Sequence, residues 1–451
     1  MAWDFETPPE LAAQLSWVRE FVADEVELLD HVIGNPHDTT DPVRNELVRP
    51  LQEEVRRRGL WAAHLTRVHG GAEFDQVAFV LLNEQLGRSR AAPVVFGCQA
   101  PDAGNQEILS QFGSPGQRER FLVPSVAGDI ATCFAVTEPT GGADPTRYRT
   151  RADKVSGGWE LHGRKWFASG FGYAGWALVM ATTDDTAPRH DRATMFILPT
   201  DLPGIRIERR VASGMAPEGP IHAFVTFDGV HVPDDLVLGS PGEGFRLMQQ
   251  RLGRARLALA ARMCGLMRWA FELMQERAVS REVGPGLLGS QQLAQKAIAD
   301  TWTDIETFRL LLLRTAWRLD RDDDLRRARA DISAVKSLLP EVLNKVARRA
   351  AQLHGSLGAS QEMPFVAMAA QALSVGVADG PSEVHTQALA RALLRGIEPS
   401  PDLFPSYHLP RRRAEAYRRH RAVIERFGRV IPEDVSSASG ESGERLATSS
   451  G

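Results

Sequence analysis

The chain has 451 residues, 43% apolar and 24% charged, with a formal net charge of −4. That length exceeds one ordinary core and predicts two or three domains of ordinary composition. The near-balanced charge makes neither nucleic acid nor an anionic membrane a required partner, and the absence of an apolar run of about 18 residues predicts no membrane span.

The amino terminus, MAWDFETPPE, is acidic and lacks a basic stretch followed by an apolar run, so no signal peptide is expected. Residues 1–128 read as a helical domain. Apolar positions repeat at helical spacing in LAAQLSWVREFVADEVELLDHV (Leu11–Val32) and again in VRPLQEEVRRRGLWAAHL (Val48–Leu65). QVAFVLLNEQLG (Gln76–Gly87) is apolar nearly all round, the pattern of a buried helix. Residues 129–240 change texture. TCFAVTEP, WELHGRKWF, WALVMATTD, ATMFILPT, IRIERRV and HAFVTFDGVHV are β-rich runs split by Gly, Pro and Asp, which predicts an antiparallel sheet or small barrel. Residues 241–398 return to the helical period in four long segments, which predicts a four-helix bundle. The fold class expected is therefore a multi-domain α+β chain in the order helices, sheet, bundle. Residues 399–451 hold a Pro-rich stretch, a basic run and a Ser/Gly-rich end, Ser436–Gly451, with the composition of disorder. Cys98, Cys133 and Cys264 are far apart and form no CxxC pair, which predicts buried thiols in a reducing cytoplasm and no metal site.

Three short stretches carry chemistry. CFAVTEPTGGADP (Cys133–Pro145) runs from an apolar strand into a glycine-rich turn, where Thr137 offers a hydroxyl and Gly141–Gly142 admit a close approach to the main chain. It reads as a plain turn or as a ligand contact. GRKWFASGFGYAGW (Gly163–Trp176) sets an indole beside small residues, either a core patch or a platform for a flat ring. No phosphate-cradling P-loop and no GxGxxG fingerprint occurs. VADGPSEVH (Val377–His385) sets two carboxylates and a histidine around a Gly-Pro turn, a cluster suited to proton transfer.

TEPTGGAD, KWFASG, QERAVSREVGPGLLGSQQ, QLHGSLG and VADGPSEVHTQALAR, in this order, resemble motifs of the acyl-CoA dehydrogenase family, and the resemblance runs from about residue 10 to 395. The last of them is most similar to a branch with an Asp-Gly-Pro-x-Glu-Val-His segment. The resemblance implies an FAD-dependent acyl-CoA dehydrogenase that removes an α-proton from an acyl thioester while flavin N5 takes the β-hydride. It implies that Phe134, Val136, Thr137, Gly142 and Ala143, with Trp166, Phe167, Ala168 and Ser169, line the flavin. It places Arg281, Gln292, Gln352, Gly355 and Ser356 on the cofactor's pyrophosphate and adenosine part from a partner subunit, and Pro381 and Glu383 on the cofactor side. Arg256 and Gly380 fall on the substrate side, and Asp379 takes the position of the catalytic carboxylate. Ser382 is expected to cap the helix that follows, with Glu383 in its first turn. His385 reads as a packing or hydrogen-bonding residue.

The chain departs from the family pattern at three places. Ala143 and Ala168 stand where hydroxyl residues are usual, and Gly284–Pro285 replaces a Phe-Gly pair. The resemblance further implies an acyl-CoA or acyl-carrier thioester as substrate, an electron-transfer flavoprotein as partner, and a homodimer or homotetramer. Alternatives kept open are a flavoprotein oxidase or monooxygenase, an acyl-carrier-protein dehydrogenase, and a non-catalytic, DNA-associated relative. The last would use Arg411, Arg412, Arg413, Arg418, Arg419 and Arg421, which read more simply as a solvated or interface helix around Tyr417. Nucleic acid is not the expected partner.

Overall fold

The computed structural model describes residues 5–214, 219–400 and 403–429. From residue 5 to Leu393 the chain packs as one unit, and from Leu394 onward as another. The first opens with α1 (Pro9–Phe21), α2 (Pro42–Arg57), α3 (Gln76–Leu86), α4 (Ala92–Val95), α5 (Asp102–Phe112), α6 (Pro115–Gln117) and α7 (Val123–Ala127). Helix starts carry the expected chemistry. Asp41 accepts from the Val43 amide ahead of α2, and Asp75 from the Ala78 amide ahead of α3.

Two helical expectations are corrected. The helix read over Val48–Leu65 ends at Arg57, because Gly59 takes a left-handed φ of +69° and the Leu60 amide returns to the Val55 carbonyl at 3.1 Å. Leu60, Trp61, Ala62, Ala63 and Leu65 are buried as a folded loop, not as a helix face. The segment Leu11–Val32 is α-helical only to Phe21. It continues as a π turn over Val22–Val26 and a 3₁₀ turn over Glu27–His31, which together keep Val18, Val22, Val26 and Leu29 in the core.

The middle segment forms an eight-stranded sheet of β1 (Ala131–Ala135), β2 (Arg151–Val155), β3 (Gly158–Ser169), β4 (Ala174–Thr182), β5 (Ala193–Pro199), β6 (Ile205–Val211), β7 (His222–Pro233) and β8 (Val237–Leu238). Their order is β6-β7-β3-β2-β4-β5-β8, with β1 against β4. The sheet is mixed, not purely antiparallel: β1 and β2 each run parallel to β4. The antiparallel β2–β3 hairpin intervenes between β1 and β4, so the chain enters β4 in the direction of β1. β2 escaped the sequence reading because only Ala152 of RADKV is buried, leaving almost no alternation to see.

The bundle comprises the four helices expected, α8 (Gly244–Ser280), α9 (Gln292–Asp322), α10 (Leu325–His354) and α11 (Phe365–Val377), and α12 (Ser382–Leu394) follows them. Between α8 and α9 the Gly284–Pro285 pair turns a short hairpin, β9 (Glu282–Val283) with β10 (Gly286–Leu287). One apolar cluster unites the first helices with the sheet, and a second fills the bundle. α3 bridges them. Val80 lies in the bundle's core, and Gly87 and Gly265 let α3 and α8 touch. A Cβ at Gly265 would fall 1.9 Å from the Glu84 carbonyl, and one at Gly87 2.0 Å from that of Arg262. In the second unit, α13 (Leu409–Arg426) carries the arginine run and has no buried residue, in keeping with the solvated or interface helix expected. Ser436–Gly451 lies outside the described residues. Among the described residues no helix is long and apolar enough to cross a membrane. All three cysteines are buried and unpaired.

Buried Glu84 on α3 accepts from Arg268 Nη1 of α8 at 2.8 Å and Arg309 Nε of α9 at 2.9 Å. Glu84→Ala leaves both guanidiniums without their acceptor, and chemical denaturation is expected to show a loss of about 3 kcal/mol, the low end for a broken buried pair because Arg268 is exposed.

Candidate active site

Two segments meet where β1 and β3 end. The Trp166 amide donates to the Thr137 carbonyl at 3.1 Å. Lys165 Nζ donates to the Val136 carbonyl at 2.9 Å and pairs with Glu138 at 2.7 Å. Glu138 also accepts from the Arg149 and Thr150 amides at 2.5 and 2.9 Å. Burial opposes ionisation of Glu138, but the Lys165 charge and these hydrogen bonds outweigh it and hold its carboxyl below the usual range. Burial draws Lys165 down to about 8 against the pull of Glu138, so the pair stays charged at neutral pH. This ion pair ties the Thr-Glu-Pro turn and β3 into one ledge.

The ledge is shaped by a bulge. Lys165 faces Val225 while Ala168 faces Ala223, so three steps along β3 match two along β7. Phe167 sits in the bulge at φ +49° and is 47% exposed. Its ring lies 5.3 Å from that of Trp166 and 5.5 Å from that of Phe224, giving an aromatic platform beside exposed Thr137. Gly142, at φ +59°, and Ala143 form an exposed turn. Val136 and Ala168 are buried, so any contact they make is through the main chain. The Ser169 hydroxyl is engaged with His222 Nδ1 at 2.8 Å, and His222 Nε2 with Ser213 Oγ at 2.7 Å.

Asp379 stands between α11 and α12. It and Gly380 both take positive φ, +54° and +102°, a costly geometry for a residue with a Cβ. Three side chains hold this turn through carbonyls. Arg256 Nε donates to the Asp379 carbonyl at 2.9 Å, and His385 Nε2 reaches the same oxygen at 3.3 Å. Lys336 Nζ donates to the Val375 carbonyl. Because a carbonyl can only accept, the proton of His385 sits on Nε2, leaving Nδ1 to accept from Ser333 Oγ at 3.4 Å. A Cβ at Gly380 would lie 3.0 Å from His385 Nε2, so the glycine is needed for both its φ and its bareness. Ser382 is not the expected cap: it is the first residue of α12, and its hydroxyl donates to the Gly376 carbonyl at 3.3 Å.

The half-buried Asp379 faces a cationic shell. Burial lowers the proton affinities of Arg251, Arg256 and Lys336, and in each the charge of Asp379 works against that fall. Arg251, whose charge Asp379 helps to hold, lies against β1: its guanidinium is 4.2 Å from the Phe134 ring centroid and donates to Asn105 Oδ1 at 3.2 Å. Phe134, Arg256, Asp379, Gly380 and Pro381 thus belong to one neighbourhood. Glu383 is exposed in the first turn of α12.

The remaining predicted residues lie elsewhere. Arg281, Gln292, Gln352, Gly355 and Ser356 are exposed at the C-terminal ends of α8 and α10 and the start of α9, and Arg349 near the end of α10 pairs with Asp304 of α9 at 2.6 Å. From Lys336 to Gln352 along α10 is about 24 Å, and from Arg256 to Arg281 along α8 about 37 Å. Sequence reasoning missed Lys336, Arg251, Phe224 and His222. A lone lysine in the apolar run SAVKSLL was the readable signal for the first. The others depend on contacts between distant segments.

Three family descriptions match this chain: acyl-CoA dehydrogenase N-terminal domain over residues 8–129, middle domain over 133–230 and C-terminal domain over 242–394. FadE2 of Mycobacterium tuberculosis is 32% identical over 365 residues, 80% of this chain and 88% of that protein. The chain belongs to the acyl-CoA dehydrogenase family. Acyl-CoA dehydrogenase family member 11 of Rattus norvegicus is 34% identical over 393 residues, 84% of this chain and 50% of that protein, so the chain spans half the length of that relative. A solved family structure from Mycobacterium abscessus is 34% identical, with a TM-score of 0.80 over 86% of this chain and 99% of its own.

Three histidines, His385 buried and His37 and His64 partly buried, are expected to make the stability of this family member pH-dependent. His37, His64 and His385 are each drawn down to about 4, by burial first; Arg44 adds to the fall at His37, Arg256 adds to it at His385, and the bond to Gln106 resists it at His64. An unfolded histidine titrates near 6.5, so unfolding takes up protons between those values. Stability is therefore full above about 6.5 and falls as pH drops toward 4, by about 2 kcal/mol per histidine at pH 5. Thermal melts at pH 7 and pH 5 are expected to show that fall, and His64→Gln to make it shallower by one proton.

Proposed function

We infer that the chain is an FAD-dependent acyl-CoA dehydrogenase that forms a 2,3-enoyl thioester, with Asp379 as the base. The observation that carries this reading is the left-handed turn at Asp379, held by Arg256 and His385 and linked through Arg251 to Phe134 at the end of β1. When bound, FAD supplies the acceptor for the substrate's β-hydride. The ledge suits a flat ring: an aromatic platform, an exposed hydroxyl at Thr137 and main chain laid open by a bulge. On this reading Phe134, Val136, Thr137, Gly142, Ala143, Trp166, Phe167, Ala168 and Ser169 hold the ring, with Pro381 and Glu383 at its margin.

Asp379 takes the α-proton. The main-chain amide of Asp379 meets the charge that develops on the thioester oxygen, with Gly380 beside it on the substrate side. Arg256 spends its Nε on the Asp379 carbonyl, so its part is to place the base as well as to set a positive field for the substrate. Arg281, Gln292, Gln352, Gly355 and Ser356 lie at the ends of α8 and α10 and the start of α9, well away along those helices from Arg256 and Lys336 at the Asp379 turn, which favours their holding the dinucleotide end in a second copy. A homodimer or homotetramer follows. Exposed Leu293, Trp302 and Leu310 on α9 and Leu373 on α11 are surface for such a contact. The proposed electron acceptor is an electron-transfer flavoprotein, and the proposed location the cytoplasm.

Absorbance of the purified protein, reconstituted with FAD where needed and titrated with acyl-CoA thioesters without oxygen, tests this. A flavin band that bleaches with one class of thioester is expected. Asp379→Asn should slow bleaching by about 10³-fold, in the range of general-base removal, and Glu383→Gln by less than about 10-fold. A flavin band that no acyl thioester bleaches would rule the activity out.

A further inference from the structure

Lys336 lies in the middle of α10 with its side chain fully buried, between Val335 and Leu339, which are themselves in the bundle's core. A buried ammonium is costly unless it has a strong partner. Its partner is the Val375 carbonyl, in the last turn of α11. That oxygen is one of the carbonyls a helix end leaves without an internal donor, and a cation there is favoured by the helix dipole. One more helical step would have given the same oxygen to the Asp379 amide. Lys336 occupies it instead, α11 stops, and the chain turns into the left-handed conformation at Asp379. Among the described residues the Asp379 amide makes no backbone hydrogen bond.

We propose that Lys336 is a positioning residue: by capping α11 at Val375 it sets where the Asp379 carboxylate stands and keeps the Asp379 amide available to substrate. This rests on the reading of Asp379 as the base. Lys336 acts through the turn, by its hydrogen bond to the Val375 carbonyl. The charges around the turn come from every element packed on it. α8 supplies Arg251, Arg256 and Arg262; α10 supplies Lys336, and Arg329 beside Arg256; α12 supplies His385, neutral at pH 7. From α5, Asp102 and Glu107 oppose Arg251. Burial draws Lys336 down to about 8, Asp379 resists that fall and Arg256 adds to it. The cap therefore weakens from an ammonium to an amine at mildly alkaline pH.

The test uses the FAD-loaded full chain and follows anaerobic bleaching by a thioester already shown to reduce the wild type, from pH 6 to 9.5. Lys336→Met, Lys336→Gln and Lys336→Arg are compared with wild type and with Asp379→Asn. Lys336→Met should slow bleaching by about 10²-fold, the cost of a misplaced reacting group, while thioester affinity changes less than about 3-fold. Lys336→Gln and Lys336→Arg can still donate to the Val375 carbonyl and should recover at least about 10-fold of that loss. The wild type should slow above pH 8 with a one-proton break that is absent in Lys336→Gln. The proposal is overturned if Lys336→Met bleaches at the wild-type rate, if the Gln and Arg variants are as slow as Met, or if the break near pH 8 persists in Lys336→Gln. Where the Met variant does not fold, the pH profile of the Gln variant decides alone. Bleaching by Asp379→Asn at the wild-type rate would sink the base assignment, a separate result.

Discussion

The molecule depends on a row of arginines along α8. Arg251 donates to the Pro101 carbonyl and to Asn105, Arg254 pairs with Glu107, and Arg256 donates to the Asp379 carbonyl. Arg262 donates to Asn83 and to the Cys98 carbonyl, and Arg268 pairs with Glu84. A guanidinium out of water requires several acceptors in one plane. Buried Arg251 and Arg262 in particular therefore fix the position of segments far away in sequence, and with the others they make α8 the rod on which the first helices, the end of the sheet and the α11–α12 turn are assembled. Apolar burial supplies the bulk of the stabilisation, but it is indifferent to register. The arginines are specific about it.

The two halves of the candidate site are rigid for different reasons. On the sheet side, a buried ion pair and a bulge fix a ledge whose rings face outward. On the bundle side, an expensive backbone conformation is held by donors that all address carbonyls. That choice leaves the acidic side chain and the adjoining amide uncommitted. Under the proposed reading that matters, because a base whose carboxylate was itself tied into salt bridges would be held as firmly but would have less capacity to take a proton.

Much of this was legible in the sequence, and the parts that were not share a cause. The order of helices, sheet and bundle follows from local periodicity, which α8, α9 and α10 display over long segments. β2 was hidden because one buried alanine leaves no alternation. The end of α2 was misread because Gly59 interrupts an apolar pattern that a folded loop satisfies equally well. The parallel pairing of β1 with β4 is a matter of connection, which no window of residues records. In the site, Asp379, Thr137 and Trp166 were readable as short motifs. Lys336 and Arg251 were not, since a lysine or arginine amid apolar residues shows its purpose only when the opposing carbonyl is in place.

The separation of the two ends of the bundle has a genetic corollary. Under the proposed reading each site draws one part from each of two copies, so a chain damaged at Asp379 and a chain damaged at Arg281 and Gln352 fail for complementary reasons. Co-assembled, they would bring both injuries together at one site and leave another whole. Two inactive alleles could then restore part of the function between them, and a single defective allele would silence sites in proportion to how often its product is incorporated.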